Sequence, residues 1–268
     1  MSGLSVYIIA FNEEDKIEDA VKSVLWADEV VVIDSYSNDR TVERAEKLGA
    51  RVEQVFFKGF GDLRNRAIAA CGNDWIFSLD ADERCTTKAK EEIESIIRFE
   101  SALDLYHVPR KNLFMGKHIR HSGYYPDYRQ PQLFRKGAMT FEDDQVHERY
   151  VMHTDKPVGY MKEPIWQIPF KDLEQILHKA NRYSSLGALK LETAGKQVGM
   201  MTAFGHGVWA FIVHYFLKLG FLDGWPGFVI ALANFEGTFY KYAKLCEKQS
   251  AWRFEEAQRL IRDELPFE

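Results

Sequence analysis

The chain has little cysteine, no surplus of positive charge and no uninterrupted apolar run long enough to cross a bilayer. Its three cysteines, Cys71, Cys85 and Cys246, lie far apart and form no CxxC pair. That excludes a disulfide frame and reads as reduced, buried thiols. A formal net charge of −5 excludes a protein built to hold a phosphate backbone, which calls for a basic surface. There is no internal repeat and no low-complexity segment. No basic region precedes the first apolar run, Leu4–Ala10, and that run is too short for a signal peptide, so a cytosolic chain is expected. The most apolar stretch, Met200–Leu222, is interrupted by His206, His214 and Lys218, so a spanning helix is not expected.

What is present has an ordinary globular balance, 46% hydrophobic and 28% charged over 268 residues. The first ~100 residues alternate short apolar runs with amphipathic stretches, the signature of a mostly parallel α/β sheet. Strands are expected at Leu4–Ala10, at Glu29–Ile33 ending on Asp34, at Arg51–Phe57 and at Trp75–Leu79. Asn12 reads as a helix N-cap with Glu13, Glu14 and Asp15 in the first turn. Ile17, Ala20, Val21, Val24 and Leu25 follow at helical spacing. A second helix carries Val42, Ala45 and Leu48 and stops at Gly49, and a third covers Arg64–Ala70. Residues from about 103 to 169 are irregular and rich in Tyr, His, Arg and Pro, as in loops that build a site. From Lys171 the pattern is helical. The expected division is a catalytic domain over residues 1–170 and a helical extension over 171–268.

The sharpest chemical feature is Asp80-Ala81-Asp82-Glu83 at the end of the fourth strand. Parallel α/β sheets bind ligands beyond the carboxyl ends of their strands. Carboxylates at i and i+2 can converge on one hard cation, Mg²⁺ or Mn²⁺, which would assist a diphosphate to leave. Asp34 ends a neighbouring strand and is followed by Ser35, Ser37 and Asn38, groups that can hold a ribose or base edge or cap the next helix. His118 and His121 are three apart, but Gly116, Gly123 and Pro126 surround them and no further thiol or imidazole lies at ligand spacing, which argues against zinc. Arg110, Lys117, Arg120, Arg129 and Arg135 are candidates for a basic rim facing an anionic substrate.

Three runs carry a resemblance: Val6-Tyr7-Ile8-Ile9-Ala10-Phe11-Asn12-Glu13-Glu14, then Val32-Ile33-Asp34-Ser35-Tyr36-Ser37-Asn38-Asp39-Arg40-Thr41, then Asp80-Ala81-Asp82-Glu83. With Gly59-Phe60-Gly61, Arg64-Asn65, the stretch from Ile119 to Asp127, Leu133-Phe134-Arg135 and Val146-His147-Glu148, the chain resembles glycosyltransferase family 2 from about residue 4 to 245. Within that family it is most similar to lipopolysaccharide core glucosyltransferases of the WaaE type. The resemblance implies the GT-A fold, Rossmann-like with helices flanking the sheet, and inverting transfer of a sugar, UDP-glucose being the expected donor. The expected acceptor is a lipid-linked saccharide such as a lipopolysaccharide core. It implies that Ala10, Phe11 and Glu13 line the nucleotide pocket, that Asp34 binds base or ribose, and that Arg64 lies near base or diphosphate. Asp80 and Asp82 would form the metal element, Asp82 as the direct ligand. Tyr36 and Arg40 stand where the family often has Gly, and Gln167 stands where relatives often have His.

Inversion by direct displacement needs a base for the acceptor hydroxyl. Glu148 is the first candidate and Asp127 the second, ahead of Glu142, Asp143 and Asp144; His147 could orient the base or reach a phosphate. Arg120 and Arg135 would bind substrate. The tail is dense in aromatics, among them Trp209, Phe211, Tyr215, Phe216, Phe221 and Trp225, with Lys218, Lys241 and Lys244 nearby. It reads as an interfacial element that holds the enzyme on the inner face of the cell membrane. The competing readings are a haloacid-dehalogenase-type phosphohydrolase, which shares the Asp-x-Asp pair but carries it on its first strand, and a non-catalytic membrane-binding scaffold.

Overall fold

A computed structural model describes residues 3–142, 149–250 and 254–262. The chain divides into two compact units, Met1–Pro169 and Phe170–Glu268.

The first unit alternates β1 (Leu4–Ala10), α1 (Ile17–Lys22), β2 (Glu29–Asp34), α2 (Thr41–Lys47), β3 (Arg51–Gln54), α3 (Phe60–Ala70) and β4 (Trp75–Asp80). It continues with β5 (Glu83–Arg84), α4 (Thr87–Arg98), β6 (Leu105–His107), β7 (Arg110–Phe114), β8 (Lys117–Ile119) and β9 (Leu133–Arg135). Then come β10 (Met139–Phe141), β11 (Tyr150–Met152), β12 (Gly159–Tyr160) and β13 (Ile165–Gln167). Seven strands form the main sheet in the order β12-β6-β9-β4-β1-β2-β3. All neighbours are parallel except those of β9, which runs against β4 and β6. Every side chain of β1 is buried, because the central strand is covered on both faces. One face packs Val6, Ile8, Val32 and Phe77 with α1 and α4, and the other packs Tyr7, Ile33 and Ile76 with Leu63 and Ala67 of α3. A second sheet, β5-β13-β7-β8, lies beside it.

Chain order runs from β1 out to β3 and then returns to β4 on the other side of β1. The topology therefore reverses between β1 and β4, where open α/β sheets hold ligands. In register, Ile9 faces Asp80 and Ala10 faces Asp34. Three strand ends thus meet at one edge.

Several local expectations need correction. Asn12 does not cap α1, which begins at Ile17 with Glu18 and Asp19 in its first turn. Asn12 adopts φ 54° and clasps the loop after β2: its N–H donates to Ser37 Oγ at 2.8 Å and its Oδ1 accepts from Asn38 N–H at 2.9 Å. Strand β3 stops at Gln54, and Phe56 and Phe57 beyond it are exposed. Helix α3 starts four residues earlier than Arg64, just after Gly59. Gly49 does end the second helical segment, with the left-handed φ of 87° that glycine adopts freely.

The second unit holds α5 (Leu173–Thr193), α6 (Met200–Ile212), α7 (Trp225–Gln249) and α8 (Phe254–Arg262). Asp172 caps α5 by accepting from Gln175 N–H at 2.9 Å. Helix α6 runs into a π-helical turn over Val213–Leu217, then a short 3-10 turn, Gly220–Asp223, leads to α7. Phe211 meets Phe228, Phe204 meets Phe235 and His206 stacks on Tyr242, so α6 and α7 form an antiparallel hairpin.

Candidate active site

The acidic turn after β4 is supported from below by groups that leave it little freedom. Glu83 is fully buried, and Arg110, only 1% exposed in its side chain, pairs with its Oε1. Oε2 accepts from Gln132 Nε2 at 2.8 Å and from the backbone N–H of Asp80 at 3.0 Å. Arg84 ties the turn to the start of α1, donating to the carbonyls of Ala81 and Lys16. The carbonyl of Asp82 accepts from Ile168 N–H at 2.8 Å, just beyond β13. Arg110 is thus not part of a basic rim. Its guanidinium neutralises a carboxylate that would otherwise be buried alone.

The two aspartates sit in opposite electrostatic settings. Asp80 Oδ1 accepts from Arg64 Nη2 at 2.9 Å, and Arg64 also reaches Ser78 Oγ at 3.1 Å. Burial acts against the Asp80 carboxylate, but Arg64 and Arg110 outweigh it and hold its pKa below the ordinary value. Asp82 has no such partner: among the described residues no Lys or Arg lies within ion-pair distance of it. Burial first, then the neighbouring Asp80 and Glu83, push its pKa up to about 7. Among the described residues, its two oxygens accept only from Gln167 Nε2, at 3.3 Å each. Gln167 Oε1 in turn faces Arg129 Nη2 at 3.5 Å, and Arg129 pairs with Asp127 at 2.8 Å. A guanidinium only donates and a carboxylate accepts, so the order Asp127–Arg129–Gln167–Asp82 fixes which way the amide points.

This donor set fits a divalent cation. A half-buried carboxylate without a cationic partner, beside a second one held by Arg64, is the environment that attracts such an ion. No group of three or more His, Cys, Asp or Glu suited to a metal occurs among the described residues. Magnesium-type sites commonly use one or two carboxylates and complete their shell with water and substrate phosphate.

The remaining expected residues distribute as follows. Ala10 is buried at the end of β1, and its carbonyl accepts from Ser35 N–H at 2.9 Å. Phe11 is 59% exposed beside it. Glu13 pairs with Lys16 at 3.0 Å, and its N–H donates to Thr41 Oγ1 at 2.8 Å. Asp34 is fully buried, with one oxygen on the Ser37 hydroxyl and the other accepting from Ser37 N–H at 2.9 Å and Gln54 Nε2 at 3.2 Å. It therefore shapes the turn that any nucleotide would meet. Tyr36 keeps φ at 60°, a backbone suited to glycine, and stacks on Phe56 at 4.2 Å between ring centres. Arg64 is 2% exposed and lies beneath Asp80.

Arg135 is not brought to this edge. It belongs to β9 opposite Trp75, at the far end of β4, where it pairs with Asp104 at 3.4 Å and covers the Trp75 ring. Arg120 is exposed after β8. His118 packs edge-on against Tyr125 and Trp166. Asp143, Asp144, His147 and Glu148 lie outside the described residues. Sequence reasoning missed the support given by Glu83 and Gln132 and the bridge through Arg129, since no spacing rule links residues 83, 110, 129, 132 and 167.

Residues 5–166 match the sequence profile of Glycosyl transferase family 2. An uncharacterized glycosyltransferase of Rickettsia bellii is 30% identical over 253 residues, 91% of this chain and 86% of that one. The lipopolysaccharide core biosynthesis glycosyltransferase LpsC of Rhizobium meliloti is 26% identical over 262 residues, covering 92% and 93%. Among solved structures, glucosyl-3-phosphoglycerate synthase from Mycobacterium tuberculosis in complex with Mn²⁺, UDP and glucosyl-3-phosphoglycerate is 26% identical, with a TM-score of 0.36. That match spans 41% of this chain and 44% of that one. The chain belongs to glycosyltransferase family 2, and its mixed, mostly parallel sheet with flanking helices is the GT-A fold. It is a glycosyltransferase similar to lipopolysaccharide core enzymes. The phosphohydrolase alternative falls with that assignment.

Proposed function

We propose that this glycosyltransferase inverts the anomeric centre of a UDP-hexose, UDP-glucose in the first instance, while passing the sugar to a lipid-linked saccharide such as a lipopolysaccharide core. The observation that carries the reading is Asp82, a half-buried carboxylate without a cation, beside Asp80 at the edge where β1, β2 and β4 end. Asp82, with Asp80 beside it, would hold Mg²⁺ or Mn²⁺, which when bound supplies charge neutralisation to the departing diphosphate. Arg64 keeps Asp80 ionised, and Gln167 orients the Asp82 carboxylate. The turns after β1 and β2, locked by Asn12, Ser37 and Asp34, form the floor for the nucleoside.

Glu148 is the base that takes the acceptor hydroxyl's proton. Its support is the resemblance of the Val146-His147-Glu148 run to the family. Asp127 is less suited, since its carboxylate is paired with Arg129.

The second unit is read as the membrane-facing part. Met200–Leu217 is long and apolar enough to cross a bilayer by length and composition, with a mean hydropathy of 1.2 and 11% of the stretch buried. That differs from the expectation of a segment too interrupted to span. Its hairpin partner α7 carries Glu236 and Lys241 within its length, so a hairpin that crossed the bilayer would draw those charges into hydrocarbon. An interfacial hairpin on the inner face of the cell membrane avoids this.

The test is thermal stability with UDP-glucose, with and without Mn²⁺, on wild type and Asp82→Asn. Ligand at a hundred times its Kd stabilises by about 2.7 kcal/mol. A metal-dependent shift is expected in the wild type and not in the variant. Equal shifts with and without metal in the wild type would overturn the metal reading, and no shift with any UDP-sugar would overturn the donor class.

A further inference from the structure

A group of four rings lies on the far side of β4 from the turns after β1 and β2. His107 ends β6 and Tyr160 ends β12, the two residues are paired in register, and their rings stack at 5.0 Å with 24° between planes. Tyr128 meets Tyr160 edge-on at 5.1 Å, and its hydroxyl donates to the Met161 carbonyl at 3.2 Å. Tyr150 closes the group against His107. Tyr160 is 61% exposed and Tyr128 37%, so two rings on a rigid base are open to solvent.

The sheet fixes where this group faces. Tyr106 is level with Leu133, which is level with Phe77, so His107 is level with Ser78, two residues short of Asp80. Leu105 packs in the same core layer as Ile76. Side chains alternate along a strand, so His107 and Asp80 project from the same face. From β4 to β12 is three strand spacings, ~14 Å. Nothing in the chemistry of Asp80 or Asp82 uses these tyrosines.

We infer that Tyr128 and Tyr160 form a stacking platform for a saccharide unit of the acceptor. The inference rests on the transferase reading above. With the nucleoside over β1 and β2, a sugar at the acidic turn leaves the β6–β12 side of the edge for the acceptor. Tyrosine suits a pyranose, because its ring face meets the apolar C–H face of the sugar. Two torsions per side chain make that surface cheap to order. Tyr128 adds a physical link, since Asp127 and Arg129 on either side of it lead through Gln167 to Asp82.

The experiment uses the full chain with Mn²⁺, UDP-glucose and a de-acylated, heptose-ended core oligosaccharide. Tyr160→Ser is expected to raise the KM for the oligosaccharide about tenfold with the KM for UDP-glucose unmoved, while Tyr160→Phe stays near wild type. An unchanged acceptor KM in Tyr160→Ser overturns the platform, as does an equal loss in Tyr160→Phe. A wild type that binds UDP-glucose but leaves the oligosaccharide unmodified overturns the acceptor proposed above. Saturation-transfer NMR on that mixture then decides the platform: a sugar signal lost in Tyr160→Ser supports it, and a signal equal or absent in both proteins overturns it.

Discussion

Arg110 and Glu83 carry the acidic turn, and neither touches the face that a substrate would meet. Their pair is buried at 1% and 0% exposure, where removal of one partner leaves the other charged or forces it to take up a proton. Arg110→Met is therefore expected to cost about 3–5 kcal/mol of stability, read by urea denaturation, against near-neutral behaviour if the pair were solvated. Gln167 offers a finer test, because it holds Asp82 without being charged. Gln167→Met keeps the volume and removes both hydrogen bonds, and the Mn²⁺ needed for half-maximal UDP stabilisation should rise roughly tenfold. An unchanged Mn²⁺ requirement would show that Asp82 needs no orienting partner. At this scale the sequence was legible where chemistry is local. Asp80 and Asp82 are two residues apart and follow an apolar run, so their place at a strand end could be read directly. Arg110 could not be separated from the exposed arginines around it, since only the return of β7 beside β13 brings it under Glu83.

At the scale of elements, the strands were read well because each is a short apolar run bounded by polar turns. Apart from the end of β3 and the start of α3, two misreadings came from side chains doing tertiary work. Asn12 has the composition of a cap but is used to lock two loops together. Arg135 lies in a recognisable Leu-Phe-Arg run, yet the antiparallel course of β9 carries it to the opposite end of β4. There Asp104 gathers Arg135, Lys156 at 3.0 Å and the Thr154 hydroxyl at 2.6 Å. Burial opposes ionisation of Asp104, but those hydrogen bonds and charges outweigh it, so its folded pKa lies below its ordinary 3.8. The unfolded chain then binds the proton more readily, and the stability Asp104 contributes is present above that value and lost as pH falls beneath it. Unfolding measured between about pH 5 and 2 should show a steeper loss in wild type than in Asp104→Asn. Parallel pH curves would mean that the cluster contributes nothing. In the hairpin, Gly227 is fixed by close approach: a Cβ there would stand 1.9 Å from the Gly220 carbonyl oxygen. Gly227→Ala must push the Gly220–Asp223 turn away from α7, at a cost of about 1–3 kcal/mol visible as a lowered Tm.

For the whole molecule, the question is where an acidic chain with an apolar helical unit works. Periodicity and composition identified the tail as aromatic but could not sort its rings, because only the packing of α6 on α7 decides which turn inward. Phe211 and Phe228 pack on each other, and Phe235 stacks on Phe239. Trp209 is 58% exposed, Phe216 53% and Trp225 77%. The lysines need the same sorting. Lys244 is not available to a head group, since its ammonium donates to the Asn181 carbonyl and to the Ser184 and Ser185 hydroxyls at 2.8–2.9 Å. Lys218 remains exposed at the hairpin tip among Phe216, Leu217 and Leu219. With few lysines at that surface, attraction to anionic lipid should be mainly apolar, and only weakly reduced by salt. The protein is expected to co-sediment with anionic vesicles, and Trp209→Ser, Phe216→Ser and Trp225→Ser together should release it. Metal-dependent UDP stabilisation in that triple variant should persist, because none of the three rings belongs to the first unit. Wild-type protein left in the supernatant, with those tryptophans unshifted in fluorescence, would mean that the enzyme meets its acceptor from solution. A triple variant that still sediments would place the contact elsewhere on the chain.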